Sequence, residues 1–321
     1  MRLVELMRYC RVPLVLNVQK GEEVLILADT RTEDLLYEAL AAAAFELEAE
    51  PTVMVIKARP IDGNEPGEAA AAAMRAVDTV IGVTSTSITH TNATRNALAA
   101  GVKYVGMPGA TIAMITGGAA TADYHALYER TQIVADRLSA ASEAHVTSPE
   151  GTDLRLSLAG RQGFVLAGIF RPGTIAIFPD GEAPIAPVEG TAEGIIVADS
   201  SMHRIGRLHE PIRFTVRGGR VVDIEGGREA AALRELLARQ GDENSFNVGE
   251  FAIGTNPQAR TYEHVSEDKK RIGTVHIGFG DNRTLAGRTE SKTHLDGVIS
   301  RPTVLLDGEP LVVEGRLLVD V

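Results

Sequence analysis

The sequence predicts an α/β N-terminal domain with a mostly parallel sheet, followed by a β-rich α+β C-terminal domain. Up to about residue 144, short apolar runs alternate with long helical stretches, the rhythm of a parallel sheet covered on both faces. From about residue 145, strand-like runs separated by glycine turns take over. In the last third, histidines and carboxylates fall inside glycine-bounded apolar runs. The expected domains are therefore 1–144 and 145–321.

The first half reads element by element. Residues 23–28 form an apolar run suited to a buried strand, and Asp29-Thr30 follows as a turn and helix cap. Residues 32–48 are strong helix formers with acids in the first turn, which favours the positive end of the helix dipole. Residues 52–57 read as the next strand, 67–76 as an alanine-rich helix and 79–83 as a third strand. A helix over 89–100 ends at Gly101, a fourth strand begins at 103–106, and a long helix spans 123–141.

In the second half, strands are expected at 153–158, 163–167, 174–178, 194–198 and 212–216. Gly218-Gly219 between two alternating runs signals a tight hairpin. Residues 230–239 form the one clear helix, with Leu233, Leu236 and Leu237 on a face. Residues 302–319 read as a hairpin around Asp307-Gly308.

Composition removes several function classes. The 321 residues carry 32 Lys and Arg against 43 Asp and Glu, for a formal net charge of -11. A binder of nucleic-acid phosphates needs a concentrated basic face, and no such run occurs. Aromatics make up 4% and tryptophan is absent, so stacking platforms are not expected. The single cysteine, Cys10, excludes an internal disulfide framework and a thiolate zinc site, and a cytoplasmic location is expected. Arg2, Glu5, Arg8 and Arg11 interrupt the N-terminal apolar residues, so neither a signal peptide nor a membrane span is expected.

No GxGxxG or GxxxxGK[ST] occurs, so a nucleotide site has no fingerprint here. The hydroxyl-rich loop from Thr84 to Thr91 lies between a strand and a helix, where it can serve as a helix cap or contact a substrate. The chemistry is expected further on. His276 lies within an apolar strand-like run, and His294 and Asp296 are two apart. Residues two apart in a strand point to one side, so this pair can grip one ion together. Glu250 occupies another glycine-bounded apolar stretch, and Glu182 follows a strand at a turn. Two imidazoles and three carboxylates suit Zn, Mn, Co or Fe.

Four blocks carry a family resemblance: Pro179-Asp180-Gly181-Glu182 with the residues up to Gly194, then 247–256, 273–282 and 293–298. In content and order they resemble the aminopeptidase T family of cytoplasmic, dinuclear metallo-exopeptidases. The resemblance implies metal ligands at Glu182, Glu250, His276, His294 and Asp296, with Glu182 and Asp296 best placed to lie between two metals. It also implies a homodimer or larger even-numbered oligomer. The family's catalytic tyrosine has no counterpart in Asp281-Asn282-Arg283-Thr284, and the acids of 267–268 are embedded among bases. The chain is also similar to the related 2,5-dihydroxypyridine 5,6-dioxygenase branch, which holds one Fe(II). That branch has a histidine where this chain has Glu250, leaving a triad of His276, His294 and Asp296.

The leading expectation is a metallohydrolase in which two Zn, Co or Mn ions activate water on a small-molecule or short-peptide substrate. Glu182 or Asp268 would handle the proton, and Arg283 or Arg288 would stabilise an oxyanion. The ring-cleaving Fe(II) dioxygenase stands second, and a non-catalytic binding protein on the same scaffold third. No nucleic-acid or membrane partner is expected.

Overall fold

The computed structural model describes residues 2–172, 174–260 and 265–319. The α/β-plus-β-rich architecture expected from the sequence is the observed one. Contacts divide the chain into Met1–Tyr124 with Ala167–Asp180, and His125–Leu166 with Gly181–Val321.

The first unit is built on a five-stranded parallel sheet in the order Glu50–Ile56, Glu23–Asp29, Thr79–Val83, Lys103–Gly106, Ala176–Ile177. Strand Glu23–Asp29 is buried over six of its seven residues, as a central strand covered on both faces must be. Helices Asp34–Glu46, Glu68–Met74 and Asn92–Ala99 make the crossovers. Residues 3–17, assigned no element above, form a helix that buries Leu6, Cys10 and Leu14. These recur every four residues and share a face, although Arg8, Arg11 and Pro13 break up the apolar run.

The second unit packs an eight-stranded sheet and a six-stranded sheet around a common core. Phe214 of strand Ile212–Arg217 stacks on Phe279 of strand Val275–Gly280, with ring centroids 4.7 Å apart. Helix Arg228–Gln240 adds Leu233 and Leu237 to that core. The Gly218-Gly219 and Asp307-Gly308 turns join antiparallel strands as expected.

Two expectations need correction. A single boundary near 145 does not describe the division of contacts. Helix Tyr124–Ala140 buries Val134, Ala135 and Leu138 in the second core, and Ala176–Ile177 joins the first sheet. An apolar face does not specify which core receives it. Residues 163–167 form isolated bridges, Gly163 to Ile185 and Leu166 to Glu182, rather than a strand. The backbone presses on the helix there: a Cβ on Gly163 would meet the Ala135 carbonyl oxygen at 2.6 Å.

Candidate metal centre

Four strands of the six-stranded sheet build the site: Glu182–Ile185, Val248–Gly254, Val275–Gly280 and His294–Ile299. Their alternation sorts the side chains. Ala183, Ile185, Phe251, Ile253, Val275, Ile277, Phe279, Leu295 and Ile299 enter the core. The residues between them (Glu182, Glu250, His276, His294 and Asp296) project from the other face. Across the strands, Glu182 is paired with Gly254, His276 with Ala252, His294 with Gly280, and both Glu250 and Asp296 with Gly278. Each large polar side chain thus has a glycine or alanine beside it, which leaves room for the tips to converge.

They converge as two groups sharing Glu250. The atoms of Glu250, His294 and Asp296 lie within 4.8 Å of one another, as do those of Glu182, Glu250 and His276. His294 Nε2 is 2.8 Å from Glu250 Oε2 and 3.0 Å from Asp296 Oδ1. His276 Nε2 is 3.0 Å from Glu250 Oε1 and 3.6 Å from Glu182 Oε2. Glu250, rather than Glu182 or Asp296, therefore turns one oxygen to each group. His276, His294 and Asp296 do not form one of the sets whose ligand atoms all lie within 4.8 Å; His276 instead groups with Glu182 and Glu250.

Two lysines that the sequence marked only as bases complete the cluster. Lys269 Nζ lies 2.9 Å from Asp296 Oδ2 and 3.4 Å from Glu182 Oε1. Lys270 Nζ lies 2.5 Å from the same Glu182 oxygen. Their signal was an adjacent basic pair following two acids, a pattern also common on solvated surfaces.

Burial alone would raise the carboxyl pKa values and lower those of lysine and histidine. The mutual charges outweigh it. Burial opposes the Glu182 carboxylate, yet Lys269, Lys270 and His276 hold its pKa below the ordinary value. Burial likewise opposes the Asp296 carboxylate, but Lys269 and His294 keep its pKa well below normal. Against burial, hydrogen bonds from His276 and His294 lower that of Glu250. Burial disfavours the Lys269 ammonium, but Asp296, Glu182 and Glu250 raise its pKa well above that of a free lysine. His294 behaves alike: desolvation is overcome by Asp296 and Glu250, and its pKa rises well above the usual imidazole value. With no metal bound, a proton on Nε2 links the two carboxylates.

A divalent cation fits in place of that proton. Glu182 Oε2 is buried without a hydrogen bond, and the buried Asp296 Oδ1 faces His294 Nε2 at 3.0 Å. His294 Nδ1 lies 2.7 Å from the Asp281 carbonyl oxygen, so a proton on Nδ1 is held there and Nε2 is aimed at the carboxylates. Such an outer partner commonly orients a metal-bound histidine. The side chain of His294 is 33% exposed, whereas those of Glu250 and Asp296 are 7% and 4% exposed. One side of this triad is therefore accessible.

The two arginines expected to stabilise an oxyanion have other partners. Arg283 is half exposed and bonded to Asp281 at 2.7 Å and Glu290 at 3.0 Å. Arg288 is exposed, and its backbone N–H donates to Glu189. In the first unit, the 84–91 hydroxyls largely serve the loop itself: Thr84 bonds the Thr86 carbonyl, Ser85 bonds Asp29, and Thr91 caps helix Asn92–Ala99. Among the described residues, no helix is long and apolar enough to cross a membrane.

Comparison with known proteins gives consistent matches. The family model described as 2,5-dihydroxypyridine 5,6-dioxygenase matches residues 5–319. The 2,5-dihydroxypyridine 5,6-dioxygenase of Pseudomonas putida KT2440 is 24% identical over 194 residues, covering 56% of this chain and 55% of that relative. The match thus spans about half the relative's length. The solved structure of 2,5-dihydroxypyridine dioxygenase from the same organism superposes with a TM-score of 0.85 at 20% identity, covering 100% of this chain and 99% of that one. AmpT from Thermus thermophilus superposes with a TM-score of 0.70 at 19% identity, covering 98% and 99%. At these identities the two structures establish the fold.

Proposed function

Since the chain belongs to the 2,5-dihydroxypyridine 5,6-dioxygenase family, we propose that it opens the ring of a small dihydroxylated aromatic compound with molecular oxygen, using a divalent metal ion. The hydrolase reading ranked first from the sequence yields to this one, because the matching family model is a dioxygenase and aminopeptidase T enters as a fold neighbour. The observation that carries the reading within the site is the one-sided triad of Glu250, His294 and Asp296, buried behind and accessible at His294.

When bound, a metal such as Fe(II) supplies a redox-active centre at which an electron-rich ring and oxygen can react. The chain's own groups hold and orient. Glu250 Oε2, His294 Nε2 and Asp296 Oδ1 present three ligand atoms. One imidazole and two carboxylates differ from the commoner two-histidine, one-carboxylate set, and the extra negative charge favours a divalent cation. The Asp281 carbonyl fixes the His294 ring, and Lys269 holds the outer oxygen of Asp296. His276 Nε2–H donates to Glu250 Oε1, which steadies that carboxylate from beneath. The core face of Phe251, Ile277 and Phe279 keeps water from the rear.

The test is anaerobic reconstitution with Fe(II), followed by 2,5-dihydroxypyridine and then oxygen. One oxygen consumed per ring lost, with both atoms of labelled oxygen in the product, is expected. Absence of oxygen uptake together with amine release from aminoacyl substrates after Zn or Co loading would return the hydrolase to first place.

A further inference from the structure

We propose that Lys269 and Lys270 take the place of a second metal ion, so that the five potential ligands of this sheet face hold one divalent cation, at Glu250, His294 and Asp296. This deepens the metal-centre reading and rests on it. Charge comes first. Glu182, Glu250 and Asp296 are all buried, and the ammonium groups of Lys269 and Lys270 lie against them. With neutral imidazoles, three carboxylates and two ammonium groups leave one negative charge. One divalent ion converts it to one positive charge, whereas two would leave three in a largely buried cluster.

Hydrogen bonding then selects the group. His276 Nδ1 is buried without a hydrogen-bond partner, whereas its Nε2 lies 3.0 Å from Glu250 Oε1. The tautomer with hydrogen on Nε2 makes that contact an ordinary donor–acceptor pair and leaves no lone pair facing the carboxylates. His294 is the reverse. Its Nδ1 faces a carbonyl oxygen, which only an N–H can satisfy. In the neutral ring Nε2 then brings a lone pair to within 2.8 and 3.0 Å of two carboxylate oxygens. Three lone-pair atoms at such distances need a cation among them. The Glu182 group needs none, because Lys270 lies 2.5 Å from Oε1 and Lys269 3.4 Å from it.

The same count predicts the result of removing the lysines. In the double variant Lys269→Leu, Lys270→Leu, three carboxylates remain uncompensated, and two divalent ions restore the net charge that one ion gives the native cluster. The experiment is metal counting on chelator-stripped protein titrated anaerobically with Mn(II), read by bound metal per chain and by the Mn(II) resonance spectrum. Native protein is expected to take one equivalent with an isolated-ion spectrum. The folded double variant is expected to take two, with a spin-coupled spectrum. A native chain that takes two equivalents, or a folded double variant that still takes one or none, overturns the proposal.

Should the double variant not fold, single substitutions at the histidines decide. His276→Gln is expected to keep the full equivalent. His294→Gln is expected to weaken binding by more than the roughly 10–100-fold that outer partners carry. Equal losses in both overturn the assignment. None of these readouts uses a substrate, so a failure of ring opening and a failure of this inference are seen separately.

Discussion

A methyl group on Gly278 would lie 2.9 Å from Cε1 of His294 and 2.8 Å from Cβ of Glu250. The imidazole that completes the triad rests directly over a glycine backbone. Gly278 sits between the strands of Glu250 and Asp296 and is paired with both, so nothing larger fits beneath the ligand tips. Gly278→Ala is expected to cost about 1–3 kcal/mol through overpacking and to displace His294. Chemical denaturation and metal titration check it; wild-type metal affinity in the folded variant would show that the close approach is not needed.

Asp296 contributes one oxygen to the triad and the other to Lys269. Asp296→Ala should abolish metal binding and turnover together. It also takes from Lys269 its nearer carboxylate and leaves it Glu182 at 3.4 Å, so the loss should stay below the ~3–5 kcal/mol of a fully broken buried pair. Thermal unfolding of the stripped proteins separates the second effect from the first, since the destabilisation should persist without metal.

Asp307, in the turn of the C-terminal hairpin, ties that turn to a neighbouring strand. Its carboxylate accepts the backbone N–H of Ser142 at 3.0 Å and of Glu143 at 2.8 Å, and its backbone has φ 49. Asp307→Ala should retain the full metal content yet lose about 0.5–1.5 kcal/mol, the net worth of an ordinary hydrogen bond whose donors are exposed to water. Loss of metal in this variant would show that the hairpin turn influences the site.

Cys10 is fully buried, and burial pushes its thiol up to about 12. At pH 8 the thiolate that reacts with alkylating reagents is scarce and inaccessible. Native protein should resist iodoacetamide, whereas denatured protein should label at one site. Rapid labelling under native conditions would show that the N-terminal helix opens readily.

Glu189 is the clearest source of acid sensitivity away from the cluster. Burial works to raise its pKa, but it accepts the Arg288 N–H and the Asn282 side-chain amide and pairs with Arg161, which together bring it down to about 2. A depressed carboxyl contributes stability above its ordinary value of 4.5, and that contribution is lost as pH falls toward 2. Glu189→Gln should therefore lower stability at pH 7 and flatten the decline between roughly pH 4.5 and 2. Parallel denaturation curves for the two proteins through this range would remove Glu189 from the acid response.

Much of the site was legible in the sequence because it rests on a local rule. Successive side chains in a strand alternate in direction, so Thr293-His294-Leu295-Asp296 already places the histidine and aspartate on one face and Leu295 on the other. The same rule, with neighbouring glycines, marked Glu250 and His276 as buried polar positions. The alternation of apolar runs and helices likewise fixed the parallel sheet, since each strand covered on both faces must be apolar nearly throughout. What alternation cannot supply is partnership across the chain. Only the folded sheet made Glu250 the shared carboxylate, separated His276 from His294 and Asp296, left Arg283 with Asp281 and Glu290, and buried Lys269 and Lys270 against Glu182 and Asp296. A charged side chain reads alike in sequence whether it faces water or a buried acid. Its role is decided by desolvation and by which opposite charges the tertiary structure brings within a few ångströms.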